Sequence, residues 1–192
     1  KHVISQIGLD FRCVLEYNND CKEVRYSNIM KKLKIYLDTS VISFLFAEDS
    51  FEFREITREF FAEYVKSEAY SVYVSDVVVN EIQMTKDGML RNALLSTLRK
   101  YELRILSLNE EADILAGYYI AEGVIPSNKI DDARHVAIAS VNNIDILVSW
   151  NFKHLANVKK QKGIQIVNEK YNYFYPLILV SPLEVFYESD ES

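Results

Sequence analysis

Four polar residues fall where an otherwise apolar pattern gives no packing reason for them: Asp38, Glu81, Asp132 and Asn151. Asp38 ends the apolar run "KIYL" and is followed by two hydroxyls, Thr39 and Ser40. Glu81 lies in "SDVVVNEI", inside a helix whose N-cap would be Ser75 or Asp76. Asp131 and Asp132 open the helical stretch "DDARHVAIAS", and Asn151 follows the apolar run "DILVSW". Carboxylates gathered without matching basic residues repel one another unless protons or cations neutralise them. An all-oxygen set suits a hard divalent ion, Mg²⁺ or Mn²⁺. Such an ion lowers the pKa of a bound water and bridges a phosphate oxygen, which is the chemistry of metal-assisted phosphodiester hydrolysis. Residue chemistry alone leaves RNA and DNA equally open as substrates.

The elements that must position these groups alternate. Apolar, β-branched runs predict short buried strands at 34–37, 71–75, 104–108, 146–149, 164–167 and 177–180. Helical periodicity fills the spaces at 51–67, 77–84, 89–100, 110–122 and 131–143. This alternation implies a parallel sheet covered on both faces. In open α/β sheets, sites gather at the carboxyl ends of the strands. Asp38, Glu81, Asp132 and Asn151 come from four separate places in the chain, and one rim of such a sheet would unite them.

The totals narrow the field. A chain of 192 residues, 49% hydrophobic, is long enough for one globular domain with a sizeable core. Its net charge of −6 rules out a global basic footprint for nucleic acid, so any such binding rests on metal or a local patch. Cys13 and Cys21 both lie near the beginning, which excludes a disulfide framework or thiolate zinc site from the body. No apolar run reaches the length of a membrane helix and no signal peptide is visible, so a cytoplasmic location is expected. Residues 1–29 show no sustained period, whereas "MKKLKIYLD" from Met30 has the form of a natural start. Residues 1–29 are therefore expected to be an appended extension and 30–192 the functional domain. No Gly-x-Gly-x-x-Gly or P-loop follows the first strand. Ser40 occupies the place where an aspartyl phosphatase would carry its second Asp.

Taken in order, "IYLDTSVIS", "VNEI", "DDARHVAIAS" and "LVSWNFKHLAN" resemble the PIN-domain family, and within it the VapC-like toxins of toxin–antitoxin pairs. The resemblance covers about residues 32 to 185. It implies a three-layer α/β/α sandwich with a central, mostly parallel sheet. It implies Mg²⁺- or Mn²⁺-dependent endoribonuclease activity, an RNA substrate, a cognate antitoxin and a homodimer, with no membrane association. The family's acidic positions fall on Asp38, Glu81 and Asp132, with Thr39 and Ser40 supporting and Asp131 as a neighbour. The fourth position, often Asp in the family, is Asn151 here, which removes one negative charge and leaves a weaker amide ligand. That departure supports an alternative: a catalytically weak PIN-like module that binds RNA or protein.

Other residues carry two readings each. His135 shares a helix face with Asp132 and would either contact phosphate or pack as a hydrogen-bonded histidine. Lys153 and His154 would contact a phosphate backbone or belong to a solvated loop. Trp150 is expected to pack. The run "VKKQKG", 158 to 163, is expected as a surface turn that could help steer RNA. The aromatic "YNYFYP", 171 to 176, is expected to pack in core or loop.

Overall fold

The computed structural model describes residues 32–67, 70–151 and 158–186. The proposed extension at 1–29 lies outside them. Five strands form one sheet among the described residues: β1 (Lys34–Leu37), β2 (Ser71–Ser75), β3 (Arg104–Leu106), β4 (Ile146–Val148) and β5 (Ile178–Val180). All neighbours pair in parallel, in the order β3-β2-β1-β4-β5. The helices are α1 (Thr39–Phe44), α2 (Phe51–Phe60), α3 (Asp76–Gln83), α4 (Gly88–Lys100), α5 (Glu110–Ala121), α6 (Ile130–Val141), α7 (Val158–Lys170) and α8 (Pro182–Phe186). Together they make a three-layer α/β/α sandwich.

The chain builds β1, β2 and β3 outward in one direction, then crosses back to place β4 on the other side of β1. The strand order therefore reverses between β1 and β4, the crevice where open α/β sheets hold their ligands. Burial agrees with this centrality. Ile35, Tyr36 and Leu37 of β1 and Leu147 and Val148 of β4 are fully buried. Leu37 is level with Val148, and the Asp38 N–H continues the ladder to the Val148 carbonyl at 3.2 Å. The residues just past these two strands are thus held side by side by main-chain bonds.

Side-chain caps start four of the eight helices among the described residues. Asp38 caps α1, Ser75 caps α3, Asp87 caps α4 and Asn109 caps α5, each accepting from backbone N–H groups of the first turn. Helix α2 runs into a π-helical turn, Phe61–Val65, and Phe60, Phe61, Tyr64 and Val65 all face the core, as the periodicity of 51–67 predicts.

The strand expected at 164–167 is not a strand; those residues lie within α7. Ile164, Val167 and Asn168 are buried while Ile166 is 57% exposed, so the buried positions follow helical i, i+3, i+4 spacing. The alternation of Ile164 and Ile166 imitates a strand over four residues, and only the longer period distinguishes the two. The basic run 158–163 is correspondingly the first half of α7, not a surface turn. The aromatic run packs as expected. Tyr171 stacks on Tyr118 at 3.7 Å, Tyr173 donates to Glu111 and Tyr175 to Asp145, leaving Phe174 exposed.

Helices α5, α6 and α7 share a buried polar triangle. The Tyr119 hydroxyl meets Ser140 Oγ at 3.1 Å and donates to Asn168 Oδ1, while Asn168 Nδ2 donates to Ser140 Oγ at 3.0 Å. All three residues are nearly inaccessible. Removing one member strands the others, at a cost of about 1–3 kcal/mol. Tyr119→Phe should lower the unfolding free energy by about that amount in urea titrations, with an unchanged denaturant slope.

Candidate active site

Asp38 is fixed first by its own turn. Its Oδ1 accepts from the Ser40 N–H at 2.9 Å, the Ser40 hydroxyl at 2.5 Å and the Val41 N–H at 3.4 Å. From across the β1/β4 crevice, the Ser149 hydroxyl donates to Oδ2 at 2.5 Å. The carboxylate is 4% exposed. Burial pushes its pKa up, and the charge of His135, the hydroxyls of Ser149 and Ser40 and the Val41 N–H only partly offset this.

The segment after β4 is tied to the same turn. The Trp150 N–H donates to Ser40 Oγ and the Asn151 N–H to Ser149 Oγ, both at 2.9 Å. Asn151 Nδ2 reaches Asp132 Oδ2 at 3.4 Å. Trp150 packs as expected: its ring lies 4.8 Å from Phe53, and its indole N–H donates to Thr57 at 2.8 Å. Asp131, in the first turn of α6, pairs instead with Arg134, which also holds Asp113 of α5. Lys153 and His154 lie outside the described residues.

Glu81 projects from α3. Its Oε2 accepts from the Thr39 hydroxyl and from His135 Nε2, the latter at 3.1 Å. Burial alone would raise the Glu81 pKa, but the hydrogen bond and charge of His135, the Thr39 hydroxyl and the charge of Lys129 bring it below its ordinary value. His135 is 3% exposed. Burial would lower its pKa, yet the hydrogen bond and charge of Glu81, with the charges of Asp38 and Asp132, raise it. One imidazole thus stands in the field of all three carboxylates. Of the two readings of His135, the packed, hydrogen-bonded one describes its contacts, and it is packed inside the site.

Sequence reasoning missed three participants. Tyr36 bonds His135 Nδ1 at 2.6 Å and Ser75 Oγ at 2.6 Å. Ser149 joins Asp38 to Asn151. A tyrosine in an otherwise aliphatic central strand, and a serine at the end of β4 level with Asp38, were the available signals. Lys129 left none, because only the fold brings its charge near Glu81.

The metal question rests on this donor set. Among the described residues, no three His, Cys, Asp or Glu side chains stand ready as a cation cage. Asp38 is engaged by hydroxyls and Glu81 is drawn to His135. The donors nevertheless fit a hard divalent ion: three carboxylates and an amide, with Glu81 Oε1 partnerless among the described residues and Asp38 Oδ2 accepting a single bond.

Fold and site together define a parallel α/β/α domain with an acidic centre at its strand-order switch. The PIN-domain family model matches residues 35–160, more than half of the chain, and the chain belongs to the PIN-domain family. No curated protein matches it. Among solved structures, VapBC2 from Rickettsia felis bound to a promoter DNA fragment is similar at 16% identity and a TM-score of 0.48, covering 78% of this chain and 98% of that one. FitAB bound to the IR36 DNA fragment is similar at 17% identity and a TM-score of 0.46, covering 77% and 94%. Among the described residues no helix is long and apolar enough to cross a membrane.

Asparagine caps a helix as well as aspartate does and carries no buried charge. Asp38→Asn should therefore melt no lower than the parent in EDTA, measured by thermal denaturation, although it removes a central carboxylate.

Proposed function

We propose that this chain is a divalent-metal-dependent endoribonuclease of the VapC-like kind, the toxin of a toxin–antitoxin pair. The observation that supports this reading is that Asp38 and Asp132 are linked through Ser149 and Asn151 at the β1/β4 switch, while Thr39, next to Asp38, holds Glu81. Family membership and the four motifs support RNA as substrate, a cognate antitoxin as partner, a homodimer and a cytoplasmic setting.

Asp38, Glu81 and Asp132 would hold Mg²⁺ or Mn²⁺, with Asn151 offering an amide oxygen. When bound, the ion supplies charge for the phosphate and an acidified water for hydrolysis. The protein's own part is positional. The Ser40 and Ser149 hydroxyls fix Asp38, Thr39 fixes Glu81, and the Trp150 N–H, donated to the Ser40 hydroxyl, holds the 149–151 turn against the start of α1. The net acidity of the centre keeps a phosphodiester away until a cation is present.

A second reading has its own observation. Asn151 spends its amide N–H on Asp132, and both acids of the β1/α3 pair already have protein partners. A platform that binds RNA or a protein without cutting would look the same. Cleavage assays decide between them. The nuclease should cut RNA with Mn²⁺ or Mg²⁺, stop in EDTA, and lose at least about a hundredfold in rate in Asp38→Asn or Asp132→Asn. Metal-independent RNA binding with no cleavage would favour the platform.

Restoring the fourth acid gives a separate check. Asn151→Asp would face Asp132 across a short gap, so the metal-free protein should melt lower. Mn²⁺ should bind tighter and restore the melting point, both read by calorimetry.

A further inference from the structure

A chain of buried hydrogen bonds starts and ends on α3. The Val78 N–H donates to Ser75 Oγ at 3.4 Å, and Ser75 Oγ meets the Tyr36 hydroxyl at 2.6 Å. Tyr36 meets His135 Nδ1 at 2.6 Å, and His135 Nε2 meets Glu81 Oε2 at 3.1 Å. The path leaves the first turn of α3, passes through the end of β2, the middle of β1 and α6, and returns to α3 at Glu81, about one turn further on. Tyr36 and Ser75 are fully buried and His135 nearly so. Among the described residues, no inaccessible side-chain nitrogen or oxygen lacks a partner.

The direction of the last bond is fixed by chemistry. An ionised carboxylate only accepts, so the hydrogen on Nε2 faces Glu81 whether or not the ring carries a second proton. Tyr36 serves either case, donating to a bare Nδ1 or accepting from a protonated one. The imidazole ring is thereby held in one orientation. With Thr39, it occupies Oε2 of Glu81 and leaves Oε1 without a partner among the described residues.

We infer that His135, oriented by Tyr36 and Ser75, is the positioning residue for Glu81: it engages one carboxylate oxygen and presents the other to the cation. This rests on the metal-dependent reading above. It assigns His135 no contact with the ion or the RNA. It also gives a function to Tyr36, a buried polar group that would otherwise be a costly choice for the central strand.

The test is Mn²⁺ binding to the metal-free full chain, followed by electron paramagnetic resonance of the free ion without RNA. Partners of metal ligands typically contribute 10–100-fold to affinity, so His135→Leu should weaken Mn²⁺ by roughly that factor. His135→Gln, whose amide N–H can reach where Nε2 stood, should recover most of the loss. Tyr36→Phe should weaken binding by up to about tenfold, because the ring is no longer oriented. In a Glu81→Gln background, His135→Leu should cost nothing further, since its effect runs through Glu81. A merely structural histidine would lower the melting temperature and leave these affinities unchanged. A folded His135→Leu with parental affinity overturns the inference, as does a loss that simply adds to that of Glu81→Gln. Should His135→Leu not fold, parental affinity in Tyr36→Phe overturns it equally. A parent chain that binds no Mn²⁺ refutes the metal-dependent reading and this inference with it. A parent that binds while the variants do not differ refutes this inference alone.

Discussion

Keeping acids ionised where water is largely excluded is the constraint on which the rest of this structure depends. Burial by itself pushes the carboxyls of both Asp38 and Glu81 above their ordinary pKa. The protein meets that constraint with a histidine whose pKa is raised by all three acids, with hydroxyls on Asp38 and Glu81, and with the nearby charge of Lys129. The compensation is partial, because burial still holds the Asp38 carboxyl above its ordinary pKa. The proposed role of a divalent cation is to supply the positive charge that this centre lacks.

The scaffold makes that arrangement affordable by fixing backbone before side chains. β1 lies at the middle of five parallel strands, and the register that sets Leu37 level with Val148 also brings Asp38 beside Ser149. A carboxylate at the end of such a strand has little freedom to move away from its neighbours. Its polar support also comes from the ends of strands and the first turns of helices, where main-chain N–H groups lack helical partners. Asp38 therefore caps α1 and belongs to the acidic centre at once. Either role alone would account for an aspartate at this position.

Much of the fold was legible because its signals are local. The limits of β1 and β2 follow from short β-branched runs, and α4 to α6 from amphipathic periodicity. The failure at 164–167 shows the limit of a short window: Ile164 and Ile166 alternate like a strand, yet only Ile164 is buried, because α7 continues past them in both directions. In the candidate site, Asp38 stood out by its place at a strand end, whereas Glu81 drew notice only from the constellation and Asp132 was preferred to Asp131 by the family resemblance. Tyr36 escaped notice because a tyrosine in a strand is ordinary by composition, and its hydroxyl gains meaning only from what lies opposite.

The sequence by itself determined the alternation of strands and helices, the family, and the residues whose charge had no packing reason. Those properties depend on spacing along the chain. Only the tertiary structure decided what those charges face. It placed His135 against Glu81 and Tyr36, set Arg134 on Asp113 of α5, and linked α3 to itself through β1 and α6. These pairings join residues up to 99 positions apart. Crossing β4 back over β1 decides which of them meet, and no local pattern records that crossing.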